Sequence, residues 1–558
     1  MMKLSIDPNI IESDVLIIGG GVGGMQAAIA AAENGARVVV AEKADTRHSG
    51  GGAMGNDHFF CYIPEYHGDD FQTILQECAE TMLGPFQDIN VFSEILLRSF
   101  EVIKKWESYG IDMRPTGKWN FEGHAMPGRR RYHLKYDGWN QKPALTAKAK
   151  SLGVTIVNKV AMNELIQDDS GRVIGALGIS VRNEEPELKL FQTKAVILAT
   201  GAATRVYPPH NPAYLFNVDA CPANAGAGDA LTLRAGAKLV NLDLPYVHSG
   251  LKQFMRCGKA TWIGVLTDVD GKPVGPFVTK PTRELGDVTA DIWQSVFSEK
   301  MENGTGPVYM NCSETSEDDL AHMFRCFRSE GITCIPDYLK QYDIDLHNEM
   351  IEFGTYVPHI QGMEIDTHAA TSIPGLYGVG DCTANVANGI HSAAVLGQIA
   401  GESSAEYVRT QPVTSIEGAP IIVEKRALYE AILGREVGAE WKEANSTLQQ
   451  IMGQYVSFKL RSESLLRAAA KYVSDLKKYS YAQLKADNAH ELMRCLEVLD
   501  MLDVAQATIF AAANRRESRG PFHRRSDYTF TNPLLNNKFQ TVRLEDGALV
   551  SEFRDKWK

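Results

Sequence analysis

The run from Asp14 to Gln26 limits what this chain can fold into more than any other stretch. A short β-branched segment, Val15 to Ile18, enters a Gly-x-Gly-x-x-Gly turn at Gly19, Gly21 and Gly24. An alanine-rich stretch from Gln26 to Asn34 follows, then a second strand from Arg37 to Ala41 that ends at Glu42. The glycines let the turn tighten and let the main chain approach a pyrophosphate. The helix N-terminus behind them offers free N–H groups and a favourable dipole. Glu42 stands near the spacing, about 20 residues, at which a carboxylate meets a ribose hydroxyl. Strand, helix, second strand and acid in this order predict a dinucleotide-binding βαβ unit.

At 558 residues the chain is too long for one simple core, so two or three domains are expected. An apolar content of 44% and a charged content of 23% are those of a globular protein. A net charge of −12 and a pI of about 5.7 give nucleic-acid binding no electrostatic support. No apolar run approaches the roughly 18 residues of a membrane span. The opening residues, Met1 to Pro8, carry no apolar signal core, so a cytoplasmic location without direct membrane insertion is expected. The nine cysteines are scattered, with no Cys-x-x-Cys pair. That pattern argues against a disulfide scaffold and against an iron–sulfur cluster held by this chain alone. No other metal site is expected.

The βαβ pattern covers residues 14–42, and a glycine patch, Ser49 to Gly55, follows. Helical spacing of Phe92, Ile95, Leu96, Phe100 and Ile103 predicts helices over 70–109. Strand patterns return at 154–160, 173–182 and 195–199, the last a buried parallel strand that runs into Thr200-Gly201. Regularity is lost over 250–350, which reads as an insertion, and returns at Gly375 to Asp381. From about 420 to 517 the pattern is almost wholly helical. The expected organisation is a Rossmann-like α/β FAD-binding domain in two parts, 1–245 and 351–415. An α+β capping domain, 246–350, is inserted between them, and a helical domain, 416–558, closes the chain.

Gly19 to Gly24, Glu42-Lys43, the glycine patch, Ala199-Thr200-Gly201, Gly226 to Asp229, Gly380-Asp381 and Arg516 to Gly520 occur in this order. The set resembles the flavoprotein subunits of the fumarate reductase and succinate dehydrogenase superfamily, over about residues 13–530. Ser49 to Gly55, Gly178 to Arg182, Lys194 to Gly201, His490 to Arg494 and Arg516 to Tyr528 look most like the α subunit of adenylylsulfate reductase. The resemblance implies bound FAD under a cap. Its implied holders are Gly19, Gly21, Val22, Gly23, Gly24, Glu42, Lys43, Ser49, Gly50, Gly51, Val160, Ala199, Thr200, Gly201, Asp229, Asp381 and Ala394. Membrane fumarate reductases link FAD to a histidine in the glycine patch. Ser49 or Gly50 stands at that place here and His48 falls early, so non-covalent FAD is expected.

The segment Ala235 to His248 aligns without gaps onto the family segment that ends in a substrate-binding histidine. Val357 to Met363 aligns onto the second, which makes His248 and His359 the expected pocket histidines. The two family arginines are not matched. Gly286 stands where one delivers a proton, and Val395 where the other clamps a carboxylate. A methyl-bearing side chain cannot replace an arginine fork on a dicarboxylate, so fumarate is not the expected substrate. Trp139 and Phe60 stand where the adenylylsulfate branch has a glutamate and an asparagine, which sets this chain apart from that chemistry too. Arg283 and Arg256 are the expected replacement charges, with Asp57 and His58 after the glycine patch, and His391 near the lost clamp, as further candidates.

The expectation is therefore a FAD-dependent oxidoreductase acting on a small anionic substrate, with electrons exchanged through a separate iron–sulfur electron-transfer subunit. An enoate reductase or dehydrogenase is the first alternative, and a flavin electron-transfer subunit without its own substrate the second. The C-terminal helices and the basic stretch Arg515–Arg525 are expected to dock a partner or shield the flavin.

Overall fold

Val15–Ile18 forms strand β1 at the centre of a five-stranded, all-parallel sheet in the computed structural model. The structure describes residues 3–79, 87–123, 129–209, 218, 221–245, 249–252, 261–275, 278–286, 296–355, 360–386, 389–457, 459–520 and 522–556. On one side β1 pairs with β2 (Val38–Glu42), which pairs with β3 (Thr155–Asn158). On the other it pairs with β4 (Ala195–Leu198), which pairs with β5 (Leu376–Gly378). All of β1, β2 and β4 is buried, which is why these strands read as continuous apolar runs rather than alternating ones.

Helix α1 (Val22–Glu33) follows the glycine turn, and its alanines have a packing cause. It lies against a second helix, α2 (Ile390–Val408), so closely that a Cβ on Gly397 would meet the Gly23 carbonyl oxygen at 2.5 Å. A Cβ on Gly401 would meet the Ala27 carbonyl at the same 2.5 Å. Small residues on both faces permit this approach. Both helices are buried nearly all round, so neither shows a clean amphipathic stripe.

A second sheet runs antiparallel through Val160–Gln167, Val173–Ser180 and Glu187–Gln192, with Ser5–Ile6 and Ile11–Glu12 added in parallel. The inserted segment builds a four-stranded antiparallel sheet in the order Ser249–Leu251, Ile351–Thr355, Val308–Asn311, Val265–Thr267. Its own core has Trp262 in edge contact with Phe327 and Phe353. The strand Ile351–Thr355 is internal to that sheet, so the sheet of the insertion runs past the expected limit at residue 350.

Four helices follow: Pro420–Gly434, Trp441–Tyr455, Glu463–Gln483 and Ala489–Asn514. The expected helical end stops there. Lys538–Glu545 and Ala548–Asp555 form a hairpin that pairs with Leu239–Val240. Phe539 to Val542 of its first strand are buried one after another, while its second strand is half-buried or exposed. Among the described residues, no helix is long and apolar enough to cross a membrane.

Candidate active site

The turn between β1 and α1 is built for an anion. Gly19 has φ +102°, and a Cβ on Gly24 would stand 1.9 Å from the Gly19 carbonyl oxygen, so only glycine closes this turn. Gly21 caps α1 without a side-chain hydrogen bond, and the first turn of the helix holds no acidic residue. The opening N–H groups therefore face the turn with no carboxylate beside them. A buried Glu42 receives the Gly20 N–H and the Ala44 N–H, each at 2.6 Å. A carboxylate has capacity left beyond two donors. Glu42 thus braces the glycine turn while lying at the end of β2, where the sequence puts the ribose.

The glycine patch rests on this turn. Ser49 Oγ donates to the Gly20 carbonyl at 3.3 Å, and a Cβ on Gly50 would touch Gly21 Cα at 3.0 Å. A Cβ on Gly52 would meet Ile390 Cδ1 at 2.7 Å and Val22 Cγ2 at 2.9 Å, so the patch spans from the turn to the start of α2. Gly51 is exposed. Ala199 follows β4, and its carbonyl closes on Gly19. Thr200 Oγ1 lies against Gly228, with no hydrogen-bond partner among the described residues, and Gly201 has φ +72°. Asp229 is fully buried, and burial raises its carboxyl well above the usual range. Burial also raises Asp381, which accepts from Gly389 N–H at 3.4 Å. Val160 and Ala394 are buried at the edges of the same region. Lys43 turns away to the helical end, donating to Ala223 O and, at 2.7 Å, to Glu497.

Sequence reasoning missed two members. Lys142 is fully buried, donates its Nζ to the Gly20 carbonyl, and burial brings its ammonium down to about 8. Gln141 Nε2 donates to Gly52 O at 2.8 Å. Both sit at the start of the helix Gln141–Ser151, whose sequence carries no motif that would single them out. Only the tertiary fold brings that helix onto the turn.

The pocket residues divide. His248, His359 and Arg256 lie outside the described residues. Arg283 is described, and its guanidinium is paired with Asp318 and, at 2.6 Å, with Asp319. A role toward a substrate would require it to leave both carboxylates. Val395 is 0% exposed within the core beneath the sheet. Trp139 is 66% exposed, whereas Phe60 is buried with its ring 5.3 Å from that of His391. Arg130 pairs with Glu77 and Arg131 with Glu284, both at 3.0 Å.

Most arginines of the basic stretch Arg515–Arg525 are engaged in ion pairs within the chain, and Arg516 is exposed. Arg515 is buried against Asp243 and Glu517, Arg519 pairs with Glu517, and Arg525 pairs with Asp527. The exposed Arg524 pairs with Glu302 at 3.0 Å. The stretch holds the helical end to the rest of the chain through internal ion pairs.

A βαβ glycine turn, a buried acid at the second strand, a glycine patch and a separate sheet inserted over it define a FAD-dependent oxidoreductase. Residues 14–56 and 76–399 match the family described as "FAD binding domain", and residues 445–542 match "Fumarate reductase flavoprotein C-term". The chain belongs to the fumarate reductase/succinate dehydrogenase flavoprotein family. It is 25% identical over 585 residues to a subunit of the fumarate reductase (CoM/CoB) of Methanothermobacter marburgensis, covering 96% of this chain and 99% of that one. Its fold is similar to adenylylsulfate reductase from Archaeoglobus fulgidus, with TM-score 0.85 and 21% identity over 99% of this chain and 96% of the other. E. coli quinol fumarate reductase is also similar, with TM-score 0.81 and 20% identity over 98% and 97% of the two chains.

Proposed function

We propose that this chain oxidises or reduces a small anionic substrate other than fumarate, with electrons exchanged through a separate iron–sulfur subunit. The observation that carries the reading is Val395. It occupies the family's carboxylate-clamp position, and its side chain is fully buried in the apolar core. No guanidinium stands there, and Gly286 leaves the second arginine position without a charge. FAD is held without a covalent link by the turn Gly19–Gly24, Glu42 and the glycine patch, with Lys142 adding positive charge. When bound, FAD supplies two-electron chemistry at its ring. His248 and His359 bind and polarise the substrate. Six of the cysteines, Cys61, Cys78, Cys312, Cys326, Cys382 and Cys495, are buried and scattered, which supports an electron route through another subunit.

Redox at sulfur, as in adenylylsulfate reductase, has the closer structural likeness. Reduction of an activated carbon–carbon bond is the second reading. It is favoured by the fumarate reductase subunit of M. marburgensis, which matches this chain nearly end to end. The deciding experiment mixes anaerobically reduced holoprotein with fumarate, other unsaturated carboxylates and adenylyl sulfate, and follows flavin reoxidation. Sulfite is titrated against the oxidised form in parallel. Bleaching by sulfite that AMP modulates supports the sulfur reading. Fumarate reduction as fast as that of the best substrate overturns the argument from the missing arginines.

A further inference from the structure

Directly after the glycine patch, Asp57 and His58 form a dyad whose other contacts come from both sides of the site. His58 opens the short strand His58–Phe60, which pairs with His133–Lys135 in the register His58 to Lys135 and Phe60 to His133. The Asp57 carboxylate is almost wholly buried. One oxygen lies 2.5 Å from His58 Nδ1, and the other accepts from Lys135 Nζ at 2.6 Å and Thr261 Oγ1 at 3.2 Å. Thr261 belongs to the inserted segment, and its N–H donates to Glu330 at 3.3 Å. Lys135 and His58 hold the Asp57 carboxyl well below the usual range against the cost of burial. Burial alone would favour a neutral acid, so the pairing decides its charge.

The dyad has the chemistry of a base and its orienting carboxylate. Asp57 holds the Nδ1 side of the ring, so any proton exchange with a substrate would run through the other ring nitrogen, Nε2. The His58 side chain is 24% exposed while its anchor is 3% exposed. Three ligand atoms, from Asp57, His58 and Glu330, lie within 4.8 Å of one another, which is close enough for a metal ion. The Lys135 ammonium already sits on Asp57, however, and would repel a divalent cation at that spacing.

Its place in the fold gives the dyad a task. The glycine patch links the pyrophosphate turn to the start of α2, where Ile390 meets Gly52. The next residue, His391, is buried with its Nε2 lacking a hydrogen-bond partner among the described residues, and burial followed by His58 lowers it to about 3. Phe60 packs on His391 at 5.3 Å and on His133 at 5.0 Å, and His58 meets His133 edge-on at 5.4 Å. His58 therefore lies with the end of the glycine patch that meets the start of α2, the end to which the proposed reading assigns the flavin ring.

We infer that His58 is the proton-exchanging catalytic residue of this site, taking the task that an arginine performs at the Gly286 position in fumarate reductases. Asp57 and Lys135 are its positioning residues. The inference rests on the proposed reaction with a small anion. A substrate that accepts an electron pair from reduced flavin gains a more basic lone pair. His58 gives it the Nε2 proton: the N–H bond breaks with its electrons left on the ring, and a hydrogen–substrate bond forms. The starting ring carries protons on both nitrogens, and the Nδ1 proton stays on the ring, hydrogen-bonded to Asp57, so the imidazolium ends as a neutral imidazole. Solvent reprotonates it through its exposed edge, and oxidation runs the same transfer backwards.

The test compares the unmodified holoprotein with His58→Gln and His58→Ala, using the anion that reoxidises the reduced flavin fastest. General acid–base catalysis contributes about 10²- to 10⁴-fold. Both variants are expected to lose at least a hundredfold in turnover while keeping their FAD content and melting temperature. Added imidazole is expected to restore at least tenfold to His58→Ala, which a merely structural histidine would not allow. Turnover within threefold of the unmodified protein, or a loss that imidazole does not relieve, overturns the inference. If no small anion reoxidises the unmodified protein, the proposed reaction fails, and sulfite titration of the oxidised flavin decides the residue. A tenfold weaker sulfite adduct in His58→Gln supports the placement beside the ring. Equal adducts in both proteins, or none in either, overturn it.

Discussion

Lys142 Nζ donates to the carbonyl oxygen of Gly20, which places a buried ammonium directly behind the anion-binding turn. One charge-assisted hydrogen bond contributes about 1.5–3 kcal/mol. Lys142→Met is therefore expected to weaken FAD binding by about tenfold or more, as the ratio of flavin to protein absorbance after gel filtration. In the unmodified chain, burial puts the ammonium near 8, so it is charged below that pH and neutral above it. FAD affinity is expected to fall as pH rises past 8, and the slope is expected to vanish in Lys142→Met.

Gly24→Ala is expected to abolish FAD binding and to destabilise the fold, because the added methyl would meet the Gly19 carbonyl at 1.9 Å. Gly434→Ala is the control: nothing lies within 4 Å of the added carbon. Thermal melts and flavin content of the two purified variants separate steric closure of the turn from a general intolerance of glycine replacement.

Glu497 is buried among Lys43 and Arg205, both at 2.7 Å, and Arg494 at 2.8 Å. Lys43 leads the causes that lower its carboxyl to about 2, against 4.5 when unfolded. The folded value is the lower one, so this group stabilises the fold above pH 4.5 and loses that contribution as pH falls toward 2. Glu497→Gln leaves three cations without their carboxylate and is expected to cost about 3 kcal/mol or more. The gap in melting temperature between variant and parent is expected to close progressively below pH 4.5.

His248→Ala and His359→Ala are each expected to lower turnover by about a hundred- to a thousandfold, the usual loss for a donor aimed at developing charge. The flavin spectrum is expected to stay intact. Steady-state rates with the best anion, measured beside absorbance spectra, check both statements. A loss of flavin with either variant would reassign that histidine to cofactor binding.

Acid precipitation is expected to release the yellow cofactor into the supernatant, since Ser49 and Gly50 offer no ring nitrogen for a covalent link. Mixed with NADH, the purified chain is expected to stay oxidised, because the strand–Gly-x-Gly-x-x-Gly–helix turn at Gly19–Gly24 is the one expected to hold FAD. Colour retained in the pellet, or rapid bleaching by NADH, would contradict these two expectations in turn.

The nucleotide half was legible because its signals are local. Strand, turn, helix and acid lie within Asp14–Glu42, and the structure builds them as read. Family order carried the rest of the cofactor set, from Ala199 to Asp381. Contacts between distant segments left no such trace. Nothing near Lys142 announces Gly20, and the apolar and charged residues of Ala489–Asn514 do not reveal that Glu497 faces two cations from the first half of the chain. In Arg515–Arg525 the sequence displays the charges and hides Asp243, the buried partner 272 positions away from Arg515. Asp57 and His58 were visible as candidates. Their coupling to Lys135 came only with the register of two short strands.

The ion pairs of Glu497 also have a bearing on how the protein is made. Its partners Arg205 and Lys43 precede it by 292 and 454 positions. A ribosome adding about 5–20 residues per second releases both cations well before their acid exists. Throughout that interval neither cation has this carboxylate to meet. The helix Ala489–Asn514 then brings the acid that completes the cluster, ahead of the hairpin of Lys538–Glu545 and Ala548–Asp555.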